Sequence, residues 1–159
     1  MTISPVLATP RRTGFFPKAY SAFGVLLLVE LFAQFFFIAA AILPVAGAAG
    51  DSTSNPTNNP TAIHTAWINN YVTYSGLHGI NGTFLIPLTI LVLILLAFAA
   101  RHPWKATGLT ALLFLLVVLQ FILANIGFSG AALVGGLHGL NALVLVGLAL
   151  WLVWRLWAY

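Results

Sequence analysis

The sequence predicts an all-α integral membrane protein, a four-helix up-down bundle made of two repeated helical hairpins, and three observations carry that prediction. Of 159 residues, 61% are hydrophobic and 5% charged, against roughly 25% charged residues in an ordinary soluble domain. Four segments are long and apolar enough to cross a bilayer as helices, which takes about 20 residues each. A short motif, Leu-His-Gly-(Ile/Leu)-Asn, stands at 77–81 and again at 137–141, inside the second and fourth of those segments.

The first span is expected over residues 20–46. Its basic start, apolar stretch and small-residue end, "VAGAAG", imitate a secretory signal. The apolar part is much longer than a signal core, however, and carries Glu30 and Gln34, so it reads as a retained helix. An outer loop, 47–70, follows; its polar centre, "GDSTSNPTNNPTAI", is rich in turn-forming Pro and Asn. The second span covers 71–100. "RHPWK" at 101–105 is a short basic turn, the third span covers 106–126, "GFSG" at 127–130 is a tight turn, and the fourth span covers 131–157. All of 1–159 forms one membrane domain in this reading.

The six basic residues set the orientation. Arg11, Arg12 and Lys18 precede the first span, Arg101 and Lys105 separate the second from the third, and Arg155 closes the fourth. Four crossings bring all six to one side, which the positive-inside rule makes cytoplasmic, together with both termini. A multi-pass protein of a bacterial cell membrane is the expected setting. Trp104, Trp151, Trp154 and Trp157 suit the inner interface, and Trp67, Tyr71 and Tyr74 the outer one. Topology accounts for the net charge of +4, so the basic residues give no support to nucleic-acid binding. With no cysteine, the chain builds no disulfide, thiolate metal site or covalently attached haem. The sequon Asn81-Gly82-Thr83 lies within a span and is not an acceptor.

"GLHGINGTFLIPL" (76–88) aligns with "GLHGLNALVLVGL" (136–148), and spans one and three echo each other in "LFAQFFFIA" and "VVLQFILAN". Two copies of an outward-then-inward hairpin are related by a twofold axis along the membrane normal. Helices two and four of an up-down bundle are then diagonal and parallel, which sets His78 and His138 to face each other. At 1.5 Å per residue, the 17 residues to Arg155 and the 23 to Arg101 put the histidines roughly 26 and 35 Å from the inner anchors. That is toward the outer leaflet of a hydrocarbon core about 30 Å thick. The longer count calls for a second helix that is tilted, kinked near Pro87 or extended past the inner surface.

On its helical face His78 has Ser75, Asn81 and Gly82 as neighbours, and His138 has Gly135, Asn141 and Ala142. Small residues above and below each imidazole leave a slot that the edge of a flat macrocycle fills, with each Nε2 on the iron from opposite sides. Such ligation needs neutral imidazoles whose other nitrogen is held by a hydrogen bond, for which a backbone carbonyl one turn earlier is a candidate. The plainer alternative is a close helix crossing, with the histidines as packing contacts. Asn81 and Asn141 read as interhelical hydrogen-bonding or supporting groups. Two His and two Asn are a poor tight zinc or copper site, which recruits three or four N, S or carboxylate ligands.

Four helices with His78 and His138 on the second and fourth resemble one four-helix half of haem A synthase. They also resemble an uncharacterised group of four-helix actinobacterial membrane proteins with His-x-x-Asn in helices two and four. The likeness covers residues 19–157 as architecture, and motif identity is confined to the two histidines. It implies a haem b with His78 and His138 as axial ligands. The synthase would place a glutamate three residues before the first histidine, where this chain has Ser75, so no catalytic residue carries over.

Glu30 is the one acid within a span, about 18 Å beyond Lys18 and near mid-membrane. It fits a proton relay with Gln34 and Gln120, a subunit contact, or a protonated acid bonded to a neighbouring helix. Gln34 and Gln120 are placed to bond across the bundle or to line a haem pocket. His64 and His102 belong to loops or interfaces. The preferred function is a b-type cytochrome that passes electrons between a quinone or redox protein and an outer acceptor, as an electron carrier rather than a catalyst. The alternatives are an accessory subunit of a larger respiratory or photosynthetic membrane complex, or a small transporter or metal-handling protein. Homo-oligomerisation in the lipid bilayer is compatible with each.

Overall fold

The structure, a computed structural model, describes residues 14–51 and 60–157. Arg11 and Arg12, residues 52–59 of the expected outer loop and the last two residues lie outside the described residues. What is described is all-α, with four helices long and apolar enough to cross a membrane: Phe15–Gly50, Pro60–Ala99, Trp104–Phe128 and Ala132–Arg155. The first is α1, Phe15–Asp51. The second is continuous but not uniform. It comprises α2 (Pro60–Ala66), a π-helical segment (Trp67–Val72), α3 (Thr73–Ile80), a second π-helical segment (Asn81–Leu85) and α4 (Ile86–Ala99). The third is α5, Trp104–Phe128, and the fourth is α6, Ala132–Trp157.

Helix occupies part of what the sequence suggested was loop. Pro60 opens α2, a position where its missing N–H costs nothing, and helix then runs on through Trp67 and Tyr71, whose rings stack at 4.0 Å. The second π segment sits just before Pro87. A proline ring clashes with the carbonyl four residues earlier, here Thr83, which lies in that segment. The wider π turn takes up the misfit without ending the helix.

Two turns close the helices by different chemistry. After α4, Arg101 adopts a positive φ of 52°. Its N–H donates to Phe98 O at 2.9 Å, and that of His102 to Ala97 O at 2.9 Å. These are the paired bonds of a Schellman ending, in which the left-handed residue is usually glycine. After α5 the corresponding strain falls on Gly130, φ 98°, which has no Cβ to object.

The chain divides into two compact units, Met1–Val25 with Ile90–Tyr159, and Leu26–Thr89. In the first, segments of all four helices come together. Tyr20 of α1 is buried and hydrogen-bonded to the Thr110 hydroxyl of α5, and its ring lies 4.6 Å from that of His102. Gly24 packs so closely on α6 that a Cβ would come within 3.0 Å of Val153. Ile90, Leu93 and Ala97 of α4, Leu113 and Val117 of α5, and Leu145, Ala149 and Leu152 of α6 are buried at helical spacing.

In the second unit, Leu27, Leu31 and Ala41 of α1 are buried, as are Asn81, Ile86 and Thr89 of the second helix. Phe36 meets Tyr74 edge-on at 6.1 Å. Elsewhere the large side chains point outward: Val29, Leu95 and Leu115 are each 60% or more exposed. Within a bilayer, tails as apolar as leucine make that no penalty.

Candidate functional site

The two histidine motifs fall in different units, and each is built on a pair of antiparallel helices. In the second unit His78, on α3, places Nδ1 3.3 Å from the backbone carbonyl of Gln34 on α1. One turn further along, Asn81 donates from Nδ2 to the carbonyl of Glu30 at 2.9 Å. Going forward from 78 to 81 on one helix goes back from 34 to 30 on the other, as antiparallel neighbours require.

In the first unit His138, on α6, places Nδ1 3.2 Å from the carbonyl of Gln120 on α5. Asn141 donates from Nδ2 to the carbonyl of Leu116 at 2.9 Å. The pattern is the same: His to the carbonyl of a glutamine, Asn to the carbonyl four residues before it. A helical carbonyl already accepts its own N–H but keeps a second lone pair. The motif therefore binds a neighbouring backbone without breaking that helix. The carbonyls come from the facing helix, not from one turn earlier on the histidine's own helix.

The acceptor fixes the tautomer. A carbonyl only accepts, so Nδ1 carries a hydrogen in both imidazoles, and in the neutral ring Nε2 holds the lone pair. For His138 that lone pair faces the Gln120 amide, whose Nε2 is 3.3 Å away and also donates to the His138 carbonyl at 2.9 Å. The amide oxygen of Gln120 accepts from Asn141. Gln120, His138 and Asn141 thus form one connected polar group within the α5–α6 hairpin.

The remaining expected site residues divide. Gly82 is not open: a Cβ there would fall 2.6 Å from Nε2 of Gln34, so its missing side chain admits the glutamine amide rather than a macrocycle. Gly135 meets Gly127 of α5, where a Cβ on Gly127 would be 3.0 Å from its Cα, a close backbone approach just inside the hairpin turn. Ser75 is bonded back to Val72 O at 3.5 Å, and Ala142 is half-buried beside Asn141. At Gly76, Gly79, Gly136 and Gly139 a Cβ would meet nothing within 4 Å, but one residue on or two residues back along a helix is about 100° or 160° from the histidine, so this open backbone does not line its face.

Glu30 and Gln34 belong to the same unit as His78. The Glu30 carboxyl accepts at Oε1 from the Thr89 hydroxyl, 2.9 Å, while its Oε2 is buried with no hydrogen-bond partner, as is Oε1 of Gln34. Thr89 was not singled out by the sequence. In an ideal helix, eight residues beyond Asn81 is roughly 80° off its face. The π segment between them takes up about one extra residue and brings both onto α1. Among the described residues, no three His, Cys, Asp or Glu side chains converge, so no protein-only tetrahedral metal centre forms there.

Residues 70–129 are similar to a family of unknown function (DUF6220). The matched stretch holds His78, Asn81 and Gln120 but stops before His138 and Asn141. No curated protein and no solved structure matches the chain.

Proposed function

We propose that this membrane protein binds a b-type haem, with His78 and His138 as axial ligands, and serves in electron transfer. The observation that carries the reading is the carbonyl-oriented imidazole, present in each unit taken by itself. Iron ligation calls for a neutral ring, Nε2 as the lone-pair nitrogen and Nδ1–H held by an acceptor, and the Nδ1–carbonyl contact of each histidine supports that arrangement. Bound haem would supply a one-electron couple. The chain's own part is to fix the imidazoles through the carbonyls of Gln34 and Gln120 and, through its apolar helices, to exclude water.

At His138 the Gln120 amide has to turn aside for iron to reach Nε2. The matched bond pairs support the reading of the chain as two copies of one hairpin. Lys18, Arg101, Lys105 and Arg155, all at helix ends that four crossings would bring to one side, support cytoplasmic termini. The test is a reduced-minus-oxidised absorption spectrum of protein purified after expression with ample haem. A low-spin b-type difference spectrum is expected, and its absence contradicts the proposal.

A second reading is that of an accessory subunit of a larger membrane complex. It is favoured by the polar group around His138, where Gln120 bonds at the histidine's Nε2, as a purely structural clamp would. Chain that leaves a partner only in harsh detergent, and carries no haem, would decide for it.

A further inference from the structure

We propose that Glu30 forms a binding site for one exchangeable monovalent cation, a proton or Na+, at its Oε2. The two oxygens of this carboxyl are treated unequally. Oε1 accepts from Thr89, whereas Oε2 is buried and has no partner. Asn81 spends its Nδ2 on the Glu30 backbone carbonyl instead. A second oxygen in the same condition, Oε1 of Gln34, lies one turn along the same face of α1.

Carboxyl, amide and hydroxyl oxygens are ligands of the kind a hard cation takes, and the sequence of this unit supplies no permanently charged partner for the carboxylate. Residues 26–89 contain no lysine or arginine, and an unpaired carboxylate in an apolar medium is strongly penalised. Among the described residues of the second helix, the titratable groups facing α1 here are His78, whose Nδ1 is on the Gln34 carbonyl, and Tyr74, whose ring meets Phe36; Asn81 and Thr89 are neutral. A single carboxyl matches a single positive charge, so a divalent ion would leave excess charge in the membrane. The residue as a whole is half-buried, although Oε2 itself is covered.

The site stands apart from haem binding and is tested without it. Full-length protein in detergent is treated with a hydrophobic carbodiimide, which modifies protonated carboxylic acids, and the modified residue is located by peptide mass. Labelling at Glu30 that falls as pH rises and is indifferent to NaCl identifies a proton; labelling suppressed by NaCl but not KCl identifies Na+. Both results support the site. In Gln34→Leu or Thr89→Val the cation concentration at half-labelling should shift roughly tenfold, one unit on a pH scale. Glu30 that never labels, or labels without regard to pH, Na+ and both substitutions, overturns the proposal. A haem spectrum obtained or missing in the same preparations bears only on the haem reading.

Discussion

The two asparagines of the repeated motif should not be energetically equal, although their sequence contexts nearly match. Asn81 makes one interhelical bond, to the Glu30 carbonyl, whereas Asn141 makes two, to the Leu116 carbonyl and the Gln120 amide oxygen. An interhelical hydrogen bond in a membrane is worth about 0.6 kcal/mol on average and up to about 1.7. Asn81→Leu, which keeps the number and branching of heavy atoms, should therefore cost about 0.6 kcal/mol from the lost bond. Asn141→Leu loses two such bonds and strands the Gln120 oxygen in an apolar setting, itself a penalty of about 1 kcal/mol or more, for a total of about 2 kcal/mol. Reversible unfolding in mixed micelles of rising SDS fraction, followed by helical circular dichroism, measures both. Adding Gln120→Leu to Asn141→Leu should then cost less than the separate losses combined, because the two side chains share a bond. If Asn81→Leu proves as costly as Asn141→Leu, the bond inventory does not govern stability and the reasoning fails.

The α5–α6 turn should reject Gly127→Ala, which drives a Cβ to 3.0 Å from backbone that cannot yield; a loss of about 1–3 kcal/mol is expected in the same unfolding assay, against about 0.5 kcal/mol or less for Gly139→Ala. Arg101→Gly relieves a left-handed non-glycine residue and should raise stability by about 1 kcal/mol; a decrease would show that the arginine contributes more than its backbone costs. Gln120→Leu removes the amide that bonds at His138 Nε2. If that bond is worth about 1 kcal/mol, haem should bind roughly fivefold tighter in a titration of apo-protein, and weaker binding would assign the amide a supporting role.

The four spanning helices are legible in the sequence because twenty apolar residues in a row have few other fates. The His-Asn pairs are legible as well, since polar groups at helical spacing in lipid must find partners. The partners themselves are not. Backbone carbonyls of Gln34, Glu30, Gln120 and Leu116 accept these bonds, and a carbonyl leaves no mark in the sequence. Thr89 is hidden for a different reason: the π turn ahead of Pro87 rotates the face it occupies. Gly82 and Gly135 illustrate a third. A glycine beside a histidine suggests room for a ligand, but here one receives the Gln34 amide and the other a backbone, and the sequence writes both uses with the same letter. Tyr20 and Thr110 pair across 90 positions, a match set by helix packing that no local pattern announces.

The central claim, that two carbonyl-oriented histidines ligate haem, is tested most directly by haem content in His78→Ala and His138→Ala beside the parent protein. Helix content and the unfolding midpoint, measured on the same samples, establish that each variant is folded. One haem per parent chain is predicted, with loss of the low-spin spectrum in either folded variant. A parent chain without haem, or full retention of an unchanged low-spin spectrum in either folded variant, would contradict it.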